Sequence, residues 1–384
     1  MTFISPEAGS KREITEDRFL ATEEAALVND MPAVSLMAPL GKSDQPQIVR
    51  AELLPGRALN VFRLRGYLPG RGMVDLMHSK PLRPGPNLLG DPADDAYGNA
   101  AFKEGGALLI PYANRIRGEL TEDGRELFTA IEGVKRKLPA NWLGKEPGAE
   151  RHAMHGLILD SKMENLKLEA DHRHARAFGE ISAGDFGGYW PSETKLEIGA
   201  SLDASGFTLE VRATNVGRET CPMGIGWHPY FVLPSENRAQ ARLFIPAKTR
   251  LKVNNYDDVF PTGESEPMDR TDYDFAVAGG KELGDLYLDD CFTDLLREPN
   301  GSVAATIVDP NAKYGLRVSS PSNEIKAFQV YAPPDKSFVA LEPQFNLADP
   351  FNREIWKGRE ETGMVLLEPG QSVTYKVVLE LFVP

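Results

Sequence analysis

The chain has 384 residues, with 35 glycines, 29 prolines and 26% charged residues; it is long enough to bury a large core and is neither collagen-like nor low-complexity. A net charge of −13 disfavours a nucleic-acid partner, because nothing draws phosphates in over long range. Two cysteines, Cys221 and Cys291, exclude a disulfide framework and fit a reducing compartment, so a cytoplasmic location is expected.

Residues 1–47 read as an N-terminal extension. They are polar and irregular, with a short helix expected from Thr15, a suitable N-cap, to Val28, then a stretch broken by Pro32, Pro39, Gly41 and Pro46. Lys11, Arg12 and Arg18 are interleaved with Glu13, Glu16 and Asp17 instead of preceding an apolar run, so no secretory leader is expected. No apolar run approaches the roughly 20 residues that span a bilayer, so no membrane partner is expected either.

From Ile48 onward the texture changes to short alternating segments. Leu59 to Leu64, Leu196 to Ile198 and Phe207 to Val211 read as strands, as do Gly315 to Val318, Phe328 to Tyr331 and Val373 to Phe382. Long amphipathic helices and βα alternation are missing, which predicts an all-β sandwich, mostly antiparallel, over 48–384. The Pro-, Gly- and Asp-rich segment 78–106 and the segment 253–288 are expected to be loops.

Six histidines stand out by their scarcity: His78, His152, His155, His172, His174 and His228. His228 lies in Gly226-Trp227-His228-Pro229-Tyr230-Phe231, where Pro229 favours an extended backbone and the rings supply a dry wall. An imidazole there is either a proton exchanger near neutral pH or a core histidine with its hydrogen bond made. His152 and His155 flank a loop-to-strand junction where a spacing of three sends rings to opposite faces, so a metal is not expected there. His172 and His174 share a strand face among Asp171, Arg173 and Arg176, which reads as a solvated surface.

Glu342 follows Val339-Ala340-Leu341; it is either a base made stronger by burial or a strand-end carboxylate facing water. One of Asp289 and Asp290 must point inward, because neighbours on a strand alternate. Asn114-Arg115 pairs an amide with a forked guanidinium, suited to a ligand rich in hydroxyls. Serine-hydrolase, nucleotide-binding and dinucleotide fingerprints are absent from the sequence.

In chain order these segments resemble the aldose 1-epimerase (galactose mutarotase) family. The likeness rests on Pro111-Tyr112-Ala113-Asn114-Arg115-Ile116, His155-Gly156, Gly226 to Phe231, Leu288-Asp289-Asp290-Cys291-Phe292 and Leu341-Glu342-Pro343-Gln344. It implies a β-supersandwich with a sugar site on a concave sheet face. It also implies interconversion of the α and β anomers of a free aldose, with no cofactor and no metal. By the same likeness His228 is the general acid for the ring oxygen, Glu342 the base for the anomeric hydroxyl, and His155 the second site histidine. Asn114, Arg115 and Asp289 become sugar-hydroxyl ligands, with Trp227 or Tyr230 covering the sugar's apolar face. His228 and Glu342 are expected to grip opposite edges of one pyranose. The alternatives are a non-catalytic carbohydrate-binding protein of this fold, a glycoside hydrolase using Glu342 and Asp289, and an epimerase whose sugar phosphate meets Arg115 and Arg117.

Overall fold

The computed structural model describes residues 18–42, 44–86, 88–90, 95–359 and 361–384. They form an all-β structure of antiparallel sheets, and the helices named are short 3-10 turns such as Asn99–Phe102. Among the described residues no helix is long and apolar enough to cross a membrane.

Two large sheets dominate. A nine-stranded sheet has its centre in His174–Gly184, Thr194–Asp203, Phe207–Asn215, Ser372–Phe382 and Tyr314–Ser320. A seven-stranded sheet runs in the order Pro261–Pro267, Ala247–Val253, Leu288–Leu295, Ala327–Ala332, Phe338–Gln344, Gly226–Val232, Gly106–Leu109. Strand alternation sends Leu196, Ile198, Leu209, Val211 and Tyr375 of the first sheet, and Trp227, Phe231, Phe328, Val330 and Leu341 of the second, into one buried cluster. Because both sheets give one face to this core, the other face of the seven-stranded sheet is free to carry polar groups. The Tyr375 hydroxyl crosses the layer and donates to the Pro343 carbonyl at 2.7 Å.

The N-terminal region departs from expectation. Leu20–Val28 is a strand, not the end of a helix, since it pairs along Met31–Met37; Thr15 itself lies outside the described residues. Backbone pairing across the turn outweighs a local helical preference. Met31–Met37 in turn pairs with Gln47–Leu54, so a five-stranded sheet, completed by Asn60–Leu68 and Gly72–Asp75, runs across the boundary expected at 47/48. Val34, Leu36, Ala51, Leu53, Val61 and Leu64 join it to the main core. The segment 78–106 is also more than a surface loop, for it buries Phe102 to 4% exposure and ends in the edge strand Gly106–Leu109.

Candidate active site

Period-2 alternation on the seven-stranded sheet assembles the site. With Trp227 and Phe231 in the core, Gly226, His228 and Tyr230 face the opposite way. Gly226 pairs with Gln344 and Tyr230 with Ala340, a register that sets His228 opposite Glu342. Glu342 pairs onward with Gln329, and Gln329 with Cys291. One step along the same face, Tyr331 pairs with Asp289. Four strands, drawn from residues 226 to 344, therefore present His228, Glu342, Gln329 and Asp289 side by side.

His228 Nε2 lies 3.3 Å from Glu342 Oε1, and the two side chains are 7% and 3% exposed. Burial lowers the imidazole's affinity for a proton and pushes the Glu342 carboxyl well above the usual carboxylate range. The Asp289 charge adds to the rise at Glu342, while Arg115 opposes it. The two groups stand next to each other on one floor, not on opposite edges of a sugar-sized gap as the sequence led us to expect. Neighbouring strands in direct register leave no room for a ring between them.

A second set of residues arrives from the other end of the chain. Arg115 reaches Asp289 Oδ2 at 3.6 Å and donates to Asn114 Oδ1 at 2.9 Å. Asn114 donates to Gln329 Oε1 at 3.1 Å, and Gln329 donates to Asp289 Oδ1 at 2.7 Å. The four form a closed polar ring beside Glu342. Burial raises the Asp289 carboxyl, with Arg115 pulling the other way.

His155 follows the short strand Arg151–Met154, and its backbone N–H donates to the Asn114 carbonyl at 2.9 Å. Gly156 makes this turn possible: its φ is +80°, and a Cβ there would sit 2.3 Å from the Ile110 carbonyl oxygen. The His155 ring meets His228 edge-on with centroids 5.0 Å apart. Burial, helped by His228 and Arg115, keeps it neutral by lowering its proton affinity well below the ordinary value. His152 instead packs against Phe260 at 4.8 Å, with Nδ1 2.9 Å from the Glu150 carbonyl oxygen.

All six expected site residues, His155, His228, Glu342, Asn114, Arg115 and Asp289, thus come together. Other expectations need correction. Trp227 is a core residue, fully buried, with its indole N–H on the Gly106 carbonyl at 2.9 Å. Tyr230 does lie on the site face, 4.7 Å from the His228 ring. Asp290 points away, to Arg250 Nε at 2.7 Å, and burial raises its carboxyl to about 6. Arg117 is engaged by Glu150 at 2.9 Å and stacks 4.0 Å over Phe260, which weakens its claim on a phosphate. His174 pairs with Asp171 at 3.3 Å on the half-exposed surface. Among the described residues no three His, Cys, Asp or Glu side chains gather as metal ligands.

Two contributors escaped the sequence. Gln329 had a usable signal, a lone amide inside the apolar strand Ala327–Ala332. Phe102, 4.7 Å from the His155 ring and 6.2 Å from that of His228, had none, because its loop carries no periodicity.

Residues 83–380 match the profile of the aldose 1-epimerase family. The chain belongs to that family. A galactose mutarotase-like protein from Clostridium acetobutylicum shares the fold at a TM-score of 0.72 and 18% identity, covering 96% of this chain and 100% of that one. The galactose 1-epimerase of Lactobacillus acidophilus NCFM superposes at 0.63 with 16% identity, over 94% and 98% of the two chains. Among Escherichia coli K12 proteins, the uncharacterized YphB is 49% identical over 138 residues, 35% of this chain and 39% of its own length. The uncharacterized YihR is 25% identical over 269 residues, 69% and 75% of the two.

Proposed function

We propose that the protein is an aldose 1-epimerase, a mutarotase that interconverts the α and β anomers of a free aldose in the cytoplasm. The observation that carries this reading is the buried contact of His228 Nε2 with Glu342 Oε1 beside the Asn114–Arg115–Asp289–Gln329 ring.

The chemistry demands adjacency. The ring oxygen and the anomeric hydroxyl are both bonded to C1, so an acid for one and a base for the other must stand next to each other, as His228 and Glu342 do. His228 gives its Nε2 proton to the ring oxygen while Glu342 takes the proton of the anomeric hydroxyl. The C1–O5 bond breaks and C1 becomes an aldehyde. Rotation about C1–C2 turns the other carbonyl face toward the C5 hydroxyl. Closure then reverses both transfers: Glu342 returns a proton to the carbonyl oxygen, and His228 accepts that of the C5 hydroxyl.

Burial works against the charged form of each partner, so the pair holds one exchangeable proton and little net charge. With Nε2 and Oε1 3.3 Å apart, the two groups titrate as one coupled pair, which keeps both complementary states within reach. His155, edge-on to His228, directs the ring oxygen toward the acid. Asp289, Arg115, Asn114 and Gln329 hold the hydroxyls remote from C1, so the open chain rotates at one end only. Tyr230 offers its ring to the sugar's apolar face.

Polarimetry of freshly dissolved α-glucose and α-galactose tests the reading. A faster approach to equilibrium than buffer supports it; no acceleration on any common aldose overturns it. Sugar binding by calorimetry without turnover would identify a carbohydrate-binding protein instead.

A further inference from the structure

His155 and His228 share one trait: the Nδ1 of each ring is buried without a hydrogen-bond partner among the described residues, so neither ring is oriented by the bond on the far nitrogen that ordinarily fixes a working imidazole. What bounds the His155 ring is aromatic: His228 at 5.0 Å and Phe102 at 4.7 Å, each edge-on. Packing does the work that a carboxylate or carbonyl does elsewhere.

Phe102 is itself fixed from an unexpected quarter. It ends the 3-10 turn Asn99–Phe102, and the chain on both sides is gripped by Asn60, the fully buried first residue of strand Asn60–Leu68. Asn60 Nδ2 donates to the Ala101 carbonyl at 2.5 Å, and its Oδ1 accepts the Gly106 N–H at 3.3 Å. Gly105, at φ +76°, lets the returning chain lie on Phe62 of the same strand, where a Cβ would meet the Phe62 carbonyl oxygen at 2.7 Å. Arg57 adds an ion pair at 3.1 Å with Asp95, whose Oδ1 accepts the Ala100 N–H at 3.0 Å. From the other side Asn141 takes the Met154 N–H and donates to its carbonyl, bracketing the residue before His155, and exchanges bonds with Asn99.

We propose that Phe102 is a positioning residue for His155, and that the N-terminal sheet, through Asn60 and Arg57, is what holds it in place. The proposal rests on the mutarotase reading for its catalytic consequence but not for its geometry. It makes the sheet Leu20–Asp75, which precedes the residues matched by the family, part of the proton-transfer apparatus. A ring steered only by packing tilts once its aromatic neighbour is cut back, and water reaches it.

The test combines rates with direct titration of His155. The charged or titratable groups that act on this ring are His228, Arg115 and His152. Histidine-labelled protein is followed by NMR across pH, with the His155 signal identified by its loss in His155→Gln. In Phe102→Ala we expect the His155 titration to rise by about one pH unit as water enters. We also expect kcat on an aldose to fall by about tenfold to a hundredfold, with KM within about threefold. Phe102→Leu, which restores an apolar cover, recovers most of both effects. Asn60→Ala shifts both in the same direction as Phe102→Ala. If Phe102→Ala does not fold, Phe102→Val is read by the same criteria. A His155 titration and a kcat unchanged in folded Phe102 and Asn60 variants overturn the proposal. A titration that moves in a protein inactive on every aldose leaves the positioning role standing and removes the mutarotase reading.

Discussion

His228 and Glu342 stand on adjacent antiparallel strands with Nε2 and Oε1 3.3 Å apart, both almost wholly shielded from water. An acid and a base so close serve two atoms that share one carbon, and serve poorly any reaction that needs them on opposite faces of a substrate.

Removing either partner should therefore remove turnover more than binding. Glu342→Gln and His228→Asn are each expected to lower kcat by about 10²–10⁴-fold, with KM changed only a few-fold. Polarimetric progress curves at several sugar concentrations separate the two constants. A variant that retains the wild-type kcat would rule its residue out as a proton carrier.

Asp289→Asn should act on both binding and pH dependence. Losing the charged acceptor facing Arg115 is expected to raise KM by about tenfold to a hundredfold. The Asp289 charge is also one of the causes that raise Glu342. Its neutralisation lets Glu342 lose its proton at lower pH, so the acidic limb of the rate profile should move to lower pH. A limb that stays put, measured across pH 4–8 in constant ionic strength, would refute the coupling.

Asp290→Ala is expected to cost stability rather than chemistry, because this carboxylate faces Arg250 at 2.7 Å on the side away from the site. Breaking a buried pair from one side costs about 3–5 kcal/mol. Glu266, which also meets Arg250 at 2.5 Å, offsets part of that loss. Urea midpoints should fall while KM for the sugar holds; a changed KM with an unchanged midpoint would contradict the assignment.

Acid should weaken the fold partly through His152. Burial lowers its proton affinity to about 4, so as pH falls from 6.5 the unfolded chain binds a proton that the folded one refuses. Above 6.5 both states are neutral and nothing is lost; below it stability drops at up to about 1.4 kcal/mol per pH unit until the folded value is reached. Between pH 7 and 5, His152→Gln should lose up to about 2 kcal/mol less than the parent chain. Equal losses in the two chains, by urea denaturation, would show that His152 contributes nothing to acid sensitivity.

Much of the site was legible because it follows from short-range rules. Alternation in Gly226 to Phe231 separates His228 and Tyr230 from the apolar side, and the same rule sends Asp289 and Asp290 to opposite faces. It could not say which alternate set is core, so Trp227 and Tyr230 stood as alternatives for the sugar's apolar face until the fold buried Trp227. The run from Leu20 to Val28 misled more seriously, because its strand exists through pairing with Met31–Met37 and not through any local preference.

The sequence by itself determined an all-β chain and the identities of the polar residues able to handle a sugar, since both depend on residue type and spacing of two. Tertiary structure alone decided that His228 faces Glu342, that Gln329 joins Asp289, and that Asn60 braces Phe102 against His155. Those relations are set by strand register and loop closure between segments tens to hundreds of residues apart. No window of the chain contains both members of any such pair, so only the folded sheets choose the partner.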